Sequence, residues 1–178
     1  MAITIRPIRE KENDDVYQMF QDIPEEEFEA TNHAHGITRP EFDAFCKKMN
    51  DFSVENAKGM KELPGGKVPQ TLYIIFDDNV PVGFGKFRPF LNEACIKNRA
   101  GHFAYMISPN FRGKGYATQF VSFVKQEAEK LGLTEIEGTA LKRNLASCRV
   151  MEKNGGEAKK CIDEDIIYKI ALQRNKPR

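Results

Sequence analysis

Ile107-Ser108-Pro109-Asn110-Phe111-Arg112-Gly113-Lys114-Gly115-Tyr116-Ala117-Thr118 is the stretch on which the reading of this chain turns. A β-rich run, His102 to Ile107, stops at Ser108-Pro109. A turn then holds two glycines between Arg112 and Lys114, and an amphipathic helix follows at once. Ala117, Phe120, Val121, Val124, Ala128 and Leu131 share one face of that helix, which starts at Gly115 or Tyr116, and Gly132 closes it. Such an arrangement favours anion capture. Glycines let backbone N–H groups converge, the first helical turn leaves its amides unpaired, and the helix dipole adds positive potential there. Arg112 and Lys114 add formal charge. The pocket would suit a phosphate or pyrophosphate; the alternative is a basic loop that only turns the chain. Two named motifs fail. No G-x-x-x-x-G-K-[ST] string exists, and Gly113-x-Gly115 is followed by Thr118 where a dinucleotide fingerprint wants Gly or Ala.

Working outward, Thr71 to Phe76 is a β-branched and aromatic run, Asp77-Asp78-Asn79 a tight turn, and Val80 to Phe90 the returning strand of a hairpin. Gly83 and Gly85 fall on one face of that strand, where something can approach the backbone closely. Downstream, Thr134 to Leu141 reads as a strand, Ala146 to Lys153 as a short helix ended by Gly155-Gly156, and Glu157 to Ala171 as a final hairpin. Upstream, Ile3, Ile5 and Ile8 mark an opening strand that Pro7 confines to an edge or an end. Asn13 or Asp14 caps a helix carrying Val16, Met19 and Phe20. Thr38 with Glu41 and Pro40 forms a capping box that opens a second helix through Phe42, Phe45, Cys46 and Met49. Leu63-Pro64-Gly65-Gly66-Lys67 is the best candidate for a flexible boundary. The order β-α-α-β-β-β-α-β-α-β-β predicts an α/β (α+β) fold with a mixed sheet.

Composition narrows the function classes. The 178 residues suit one domain. Lys plus Arg number 27 against 26 Asp plus Glu, a near-balance that argues against gripping nucleic acid. Hydrophobic residues at 40%, with 13 Phe, are enough to build a core. No apolar run approaches the roughly 18 residues that cross a bilayer, and Met1 to Lys11 does not read as a secretory leader. Cys46, Cys95, Cys148 and Cys161 show neither C-x-x-C nor a metal-finger rhythm, which reads as reduced thiols in a cytoplasmic protein.

Ile107-x-Pro109-x-x-Arg112-Gly113-Lys114-Gly115-Tyr116-Ala117 resembles the acyl-CoA signature of the GNAT superfamily of N-acetyltransferases, Gln/Arg-x-x-Gly-x-Gly/Ala, with Arg112, Gly115 and Ala117 at its three fixed positions. Asn144-Leu145-Ala146-Ser147 followed by Glu152-Lys153-Asn154-Gly155 is similar to that superfamily's second motif, Asn-x-x-Ala/Ser…Glu-Lys-x-Gly. The pair spans Gly101 to Gly156. The chain as a whole looks most like a bacterial group of predicted acetyltransferases whose acceptor is uncharacterised.

The resemblance implies a single domain over residues 1–178, with 1–67 on the acceptor side and 68–178 as an acetyl-CoA-binding core. It further implies a central sheet of about six to seven strands with splayed central strands and about four helices. It implies transfer of acetyl from acetyl-CoA to a primary amine, directly in a ternary complex. Main-chain groups of Tyr105, Met106 and Ile107 would pair with the pantetheine amides, and an amide near Ile107 would stabilise the oxyanion. Arg112, Gly113, Lys114, Gly115, Tyr116, Ala117 and Thr118 would hold the pyrophosphate, and Asn144 and Ser147 would reach the pantetheine from the next helix.

Many members place a tyrosine seven residues after the motif Asn as the acid for the CoA thiolate; here that residue is Met151, which has no proton to give. Loss of a general acid costs about 10²- to 10⁴-fold. Tyr116 and Cys148 are nearby in sequence, though such groups more often pack than protonate. For the base, His102 and Glu93 are the candidates, with a structural His and a surface carboxylate as the alternatives. Arg88 is a candidate for an acceptor carboxylate. Glu26, within the Glu25-Glu26-Glu27-x-Glu29 run, is a candidate for a cationic amine, against the reading of a solvated helix face. His33-Ala34-His35 lacks the partners of a metal site, and no metal is expected. The expected partners are a small-molecule or peptide amine, with neither nucleic acid nor membrane, and the expected assembly is a monomer or homodimer. The rival functions are a CoA-binding module without catalysis and a nucleotide- or dinucleotide-binding oxidoreductase.

Overall fold

A computed structural model describes residues 2–28, 30–55 and 61–173 of the chain. Its elements are β1 (Ile3–Pro7), α1 (Asp14–Asp22), the short strands β2 (Glu26–Glu27) and β3 (Ala30–Thr31), α2 (Arg39–Asp51), β4 (Thr71–Asp77), β5 (Val80–Phe87) and α3 (Glu93–Lys97). There follow β6 (Phe103–Ile107), a 3₁₀ turn at Pro109–Phe111, α4 (Tyr116–Lys130), β7 (Glu135–Leu141), α5 (Leu145–Lys153), β8 (Gly156–Ile162) and β9 (Asp165–Ala171).

Local chemistry sets most of these boundaries. The Asn13 side chain accepts from the Val16 amide at 3.0 Å and starts α1, and the Thr38 amide donates to Glu41 at 2.7 Å at the start of α2. Asp78 and Asn79 both take positive φ, at 46° and 70°, which suits the two-residue turn of the β4–β5 hairpin. β5 ends at Phe87, earlier than the expected Phe90, because Pro89 has no amide to continue a ladder.

The strands form two main sheets. One has the order β1-β4-β5-β6 and the other β7-β9-β8, and every ladder is antiparallel. The sequence predicts a mixed sheet from its single β-α-β crossover. That crossover joins β6 to β7, and among the described residues no ladder pairs them. They touch near one end only: His102 N donates to Glu137 O at 2.8 Å, and Glu137 N donates to His102 Nδ1 at 2.9 Å. The two sheets therefore splay, as the resemblance implies, and seven strands make up the pair. Among the described residues there are five α-helices rather than about four; the addition is α3, capped by the Asn92 side chain.

Alternate residues of β4 feed two cores, as a period-2 strand must. Leu72, Ile74 and Phe76 pack with Phe20 and Phe42 of α1 and α2, while Tyr73 and Ile75 pack with Phe120, Val121 and Val124 of α4. Gly83 and Gly85 are approached closely, but by protein. A Cβ at Gly85 would lie 2.2 Å from the Phe120 ring, and one at Gly83 2.6 Å from Met106 O. Phe120 thus seats α4 directly on β5, which fixes where the helix begins.

The Glu25-Glu26-Glu27-x-Glu29 run is not a helix face. Pro24 disfavours helical backbone before it, so α1 stops at Asp22 and Ile23 is extended. Glu26 and Glu27 pair with Thr31 and Ala30 in a two-stranded flap. Phe28 at its turn takes φ 51° and is 51% exposed, whereas Glu29 lies outside the described residues.

Candidate active site

The splay opens a cleft of about 390 Å³ between β6, the start of α4 and α5. β6 is the edge strand of its sheet on this side and borders the gap. Gly113 and Gly115 take φ 76° and 85°, a left-handed backbone that glycine adopts without strain. An ideal Cβ on either would meet nothing within 4 Å, so the turn is open. Gly115 is the N-cap of α4 and offers no side-chain cap; the first backbone bond into the helix is Gln119 N to Gly115 O at 3.1 Å. A fifteen-residue helix thus presents uncapped amides to a cleft, and that donor set fits a diphosphate.

The basic residues of the turn are not both free for such a ligand. Arg112 forms a two-pronged pair with Glu27 of the flap, Nη1 to Oε1 and Nη2 to Oε2 at 2.7 Å each, and its Nε donates to Ile107 O at 3.1 Å. Lys114 is exposed, with Nζ 5.3 Å from the centre of the Phe111 ring. Gly113, Gly115, Tyr116, Ala117 and Thr118 line the cleft. The Tyr116 side chain does not open to it: its hydroxyl donates to Asp77, and that bond, then burial, pushes its pKa up to about 12. The Tyr116 hydroxyl is thus engaged by Asp77, on β4. Cys148 is also spent, with its thiol on Leu141 O at 3.6 Å.

Across the cleft, the Asn144 side chain caps α5 by accepting from Ser147 N at 3.2 Å. Ser147 Oγ and the Tyr105 hydroxyl are hydrogen-bonded at 2.7 Å, spanning from α5 to β6. Ile107 lines the cleft; Met106 does too, although its side chain is buried in the α1–α2 core. Met151 is 2% exposed, packs against Gly138, where a Cβ would lie 2.8 Å from its sulfur, and borders a chamber of about 290 Å³ beside the cleft.

Two smaller chambers adjoin the cleft. One of about 290 Å³ is bounded by Arg88, Arg99, Gly101, Tyr105, Ser147 and Asp165. The other, about 180 Å³, is bounded by Ala30, His33, Lys86, Arg88 and Tyr105. Ala30 and Tyr105 belong to all three spaces, so the three meet at Tyr105. Burial, then the neighbouring Arg88, depresses the Lys86 pKa to about 8. Burial, then Lys86 and Lys48, lowers that of His33, while Glu25 opposes.

Four expected acceptor-side residues fare differently. Arg88 lines both chambers and anchors itself by donating from Nη1 to Gly101 O at 3.0 Å. His102 lines none of the three spaces; it stitches β6 to β7 at the closed end of the splay, with Nδ1 consumed and its pKa lowered by burial. Glu93 is the exposed first residue of α3 and also lines none of them. Glu26 is exposed on the flap, and its neighbour Glu27 is the acid that reaches the cleft. His102, Glu93 and Glu26 thus lie at the β6–β7 junction, on α3 and on the flap, outside the lining of these three spaces.

The sequence did not single out Lys86, the Tyr105 hydroxyl, or His33 as a residue of this site, and Glu27 entered only as part of the glutamate run. Lys86 alternates with Arg88 along one strand and was detectable on that count; the other three depend on contacts between distant segments. Among the described residues, no cluster of three metal-ligating side chains occurs, and no helix is long and apolar enough to cross a membrane.

A family model described as an acetyltransferase (GNAT) domain matches residues 2–157. No curated protein matches the chain. Among solved structures, it is similar to RimL, a ribosomal L7/L12 alpha-N-protein acetyltransferase in complex with coenzyme A, at TM-score 0.67 and 15% identity, covering 97% of this chain and 96% of that one. A GNAT-family acetyltransferase from Streptococcus pneumoniae gives 0.62 and 14%, covering 97% and 100%. The N-acetyltransferase PseH from Campylobacter jejuni, in complex with acetyl coenzyme A, gives 0.59 and 11%, covering 97% and 100%. Identities this low establish a shared fold.

Proposed function

The chain belongs to the acetyltransferase (GNAT) domain family, and from that membership we propose that it transfers an acetyl group from acetyl-CoA to a primary amine of a small molecule or peptide, in a ternary complex. The observation that carries this reading is the uncapped start of α4 opening onto a cleft whose opposite wall is the edge strand β6. Residues 68–178 hold the donor, and the flap with the segments up to residue 67 closes the acceptor side. Four free cysteines, two of them buried, support work in the reducing cytoplasm.

Acetyl-CoA supplies the activated acyl group. Amides of Gly113 to Ala117 hold its diphosphate, and β6 main-chain groups align its pantetheine as a further strand. The amine must arrive without its proton; the new C–N bond forms as the C–S bond breaks, and water in the open cleft takes the proton released by the amine. An amide at Ile107 donates to the oxygen on which charge develops. The departing thiolate takes a proton from the Tyr105–Ser147 hydroxyl pair, the hydroxyl-bearing pair at the junction of the three spaces. This pair stands in for the acid that Met151, a thioether without a proton to give, does not provide.

Calorimetry with CoA and acetyl-CoA, followed by thiol release across a panel of amines, tests the reading. Saturable binding of both and amine-dependent release of CoA are expected. Binding without release under any amine would leave a CoA-binding module, and no heat with CoA would end the assignment.

A further inference from the structure

Resting on that reading, we propose that the acceptor carries an anionic group, a carboxylate or a phosphate, held by Lys86 and Arg88 in the chamber beside Tyr105. The two side chains lie two residues apart along the end of β5 and bound the same space, with His33 approaching from the segment after β3. No carboxylate bounds this chamber among the described residues. Asp165, in the adjoining one, is already committed to Arg99 at 2.5 Å. Glu25 is the acid that acts on His33 and is exposed to solvent.

Two cations side by side with their heads partly withdrawn from water repel each other and lose hydration. A chain keeps such an arrangement at a cost unless an anion completes it. An anion with lone pairs for both groups recovers the lost hydration through charge-assisted hydrogen bonds. The Arg88 guanidinium is oriented for this by its bond to Gly101 O, which leaves its remaining N–H groups for a ligand. Because the chamber shares Ala30 and Tyr105 with the donor cleft, an anion at Lys86 leaves the rest of the acceptor pointing toward Tyr105. The amine then sits where the thioester does. A free cationic amine such as a polyamine is repelled by the same walls, which reverses the charge preference expected from the glutamate run.

Matched acceptor pairs decide the matter. One set compares free amino acids and dipeptides with their C-terminal amides; the other compares glucosamine 6-phosphate with glucosamine, so that carboxylate and phosphate sources are read separately. In at least one set the anionic member should exceed its neutral partner by about tenfold or more in kcat/KM, and Lys86→Gln should shrink that ratio to within about threefold. Arg88→Lys, which keeps the charge and loses the fork, should shrink it less than Lys86→Gln combined with Arg88→Gln. Acetyl-CoA affinity, measured alongside, reports that the variants remain folded. Equal or better turnover of neutral or polycationic amines, or a ratio untouched by Lys86→Gln, overturns the proposal while leaving acetyl transfer standing. If no panel member is turned over, calorimetry of the anionic members against CoA-loaded protein replaces kinetics: saturable heat abolished by Lys86→Gln supports it, and its absence for all of them refutes it. Failure to bind acetyl-CoA at all is instead a failure of the underlying reading.

Discussion

Replacing Glu27 by Gln should tighten acetyl-CoA binding, although Glu27 makes two of the best-formed hydrogen bonds in the cleft. Both prongs to Arg112 measure 2.7 Å, yet the pair is solvent-facing, with the side chains 41% and 30% exposed. Exposed pairs contribute about 0.2–1 kcal/mol, and the two-pronged geometry places this one toward the upper end. A diphosphate arriving at the α4 amides needs the same guanidinium. Either Arg112 leaves Glu27, losing that contribution, or it bridges both and holds a carboxylate beside a phosphate. Removing the carboxylate charge abolishes both penalties, so the dissociation constant should fall by about two- to fivefold.

Calorimetric titrations of the wild type, Glu27→Gln, Arg112→Gln and the double variant form the cycle. Arg112→Gln should weaken binding by about tenfold, and in its background Glu27→Gln should do little, because the effect passes through the guanidinium. The gain should shrink in about 1 M salt, where the screening length drops to about 3 Å. Weaker binding by Glu27→Gln, in step with Arg112→Gln, would show the pair to be a strut that shapes the cleft, and the reasoning above would be wrong. The flap also walls the acceptor chambers through Ala30, so loosening it should raise the acceptor KM in the same variant.

Tyr105→Phe keeps the ring, which packs edge-on to Phe120 at 6.3 Å, and removes only the hydroxyl bonded to Ser147; kcat should fall about 100-fold with acetyl-CoA affinity unchanged, and full kcat would return the proton to another donor. A competitive inhibitor that keeps the acceptor's anion but lacks the amine should lose affinity as pH rises through about 8. There Lys86 sheds its proton, whereas Arg88 stays charged and His33, lowered from its ordinary value, is already neutral; Tyr105 faces the same chamber. An inhibition constant flat from pH 7 to 9 would exclude Lys86 as its partner. Gly85→Ala drives a methyl into the buried Phe120 ring and should cost about 3 kcal/mol and roughly 10 °C in Tm; an unchanged thermal midpoint would mean that α4 is not seated as described.

The donor half was legible because its physics is local. Gly113 and Gly115 are needed for the positive φ that brings amides together, Asn144 caps the helix that begins at its own neighbour, and the helical stripe from Ala117 to Ala128 follows from period alone. None of these depends on a residue more than a few turns away. The rest of the site depends on contacts across the fold. Glu27 and Arg112 are 85 positions apart, and Tyr105 and Ser147 are separated by 42. Lys86 acquires its lowered pKa only after folding places burial and Arg88 around it. His102 illustrates the same dependence on the fold. Its residue type and strand position suit a base, but where the two sheets meet its Nδ1 receives a backbone proton.

Met151 ties the two halves together. Read alone, a methionine in place of a tyrosine on α5 suggests lost catalysis. In the folded chain the space behind that position is already full: Gly138 on β7 has no room for a Cβ, because Phe103 and the Met151 thioether meet there at 2.5 and 2.8 Å. A phenol rooted at residue 151 would have to displace that packing, at a cost of about 1–3 kcal/mol, although the residue also borders the 290 Å³ chamber. The opposite wall supplies a phenol instead. Tyr105 on β6 rests its ring on Phe120 and carries its hydroxyl to Ser147, so an acid is presented to the gap from the strand that also aligns the donor. Placing the phenol there makes one side chain common to donor cleft and acceptor chambers. A tyrosine restored at 151 should therefore destabilise the fold without rescuing Tyr105→Phe, and recovery of kcat in the Met151→Tyr, Tyr105→Phe double variant would show that the acid belongs on α5 after all.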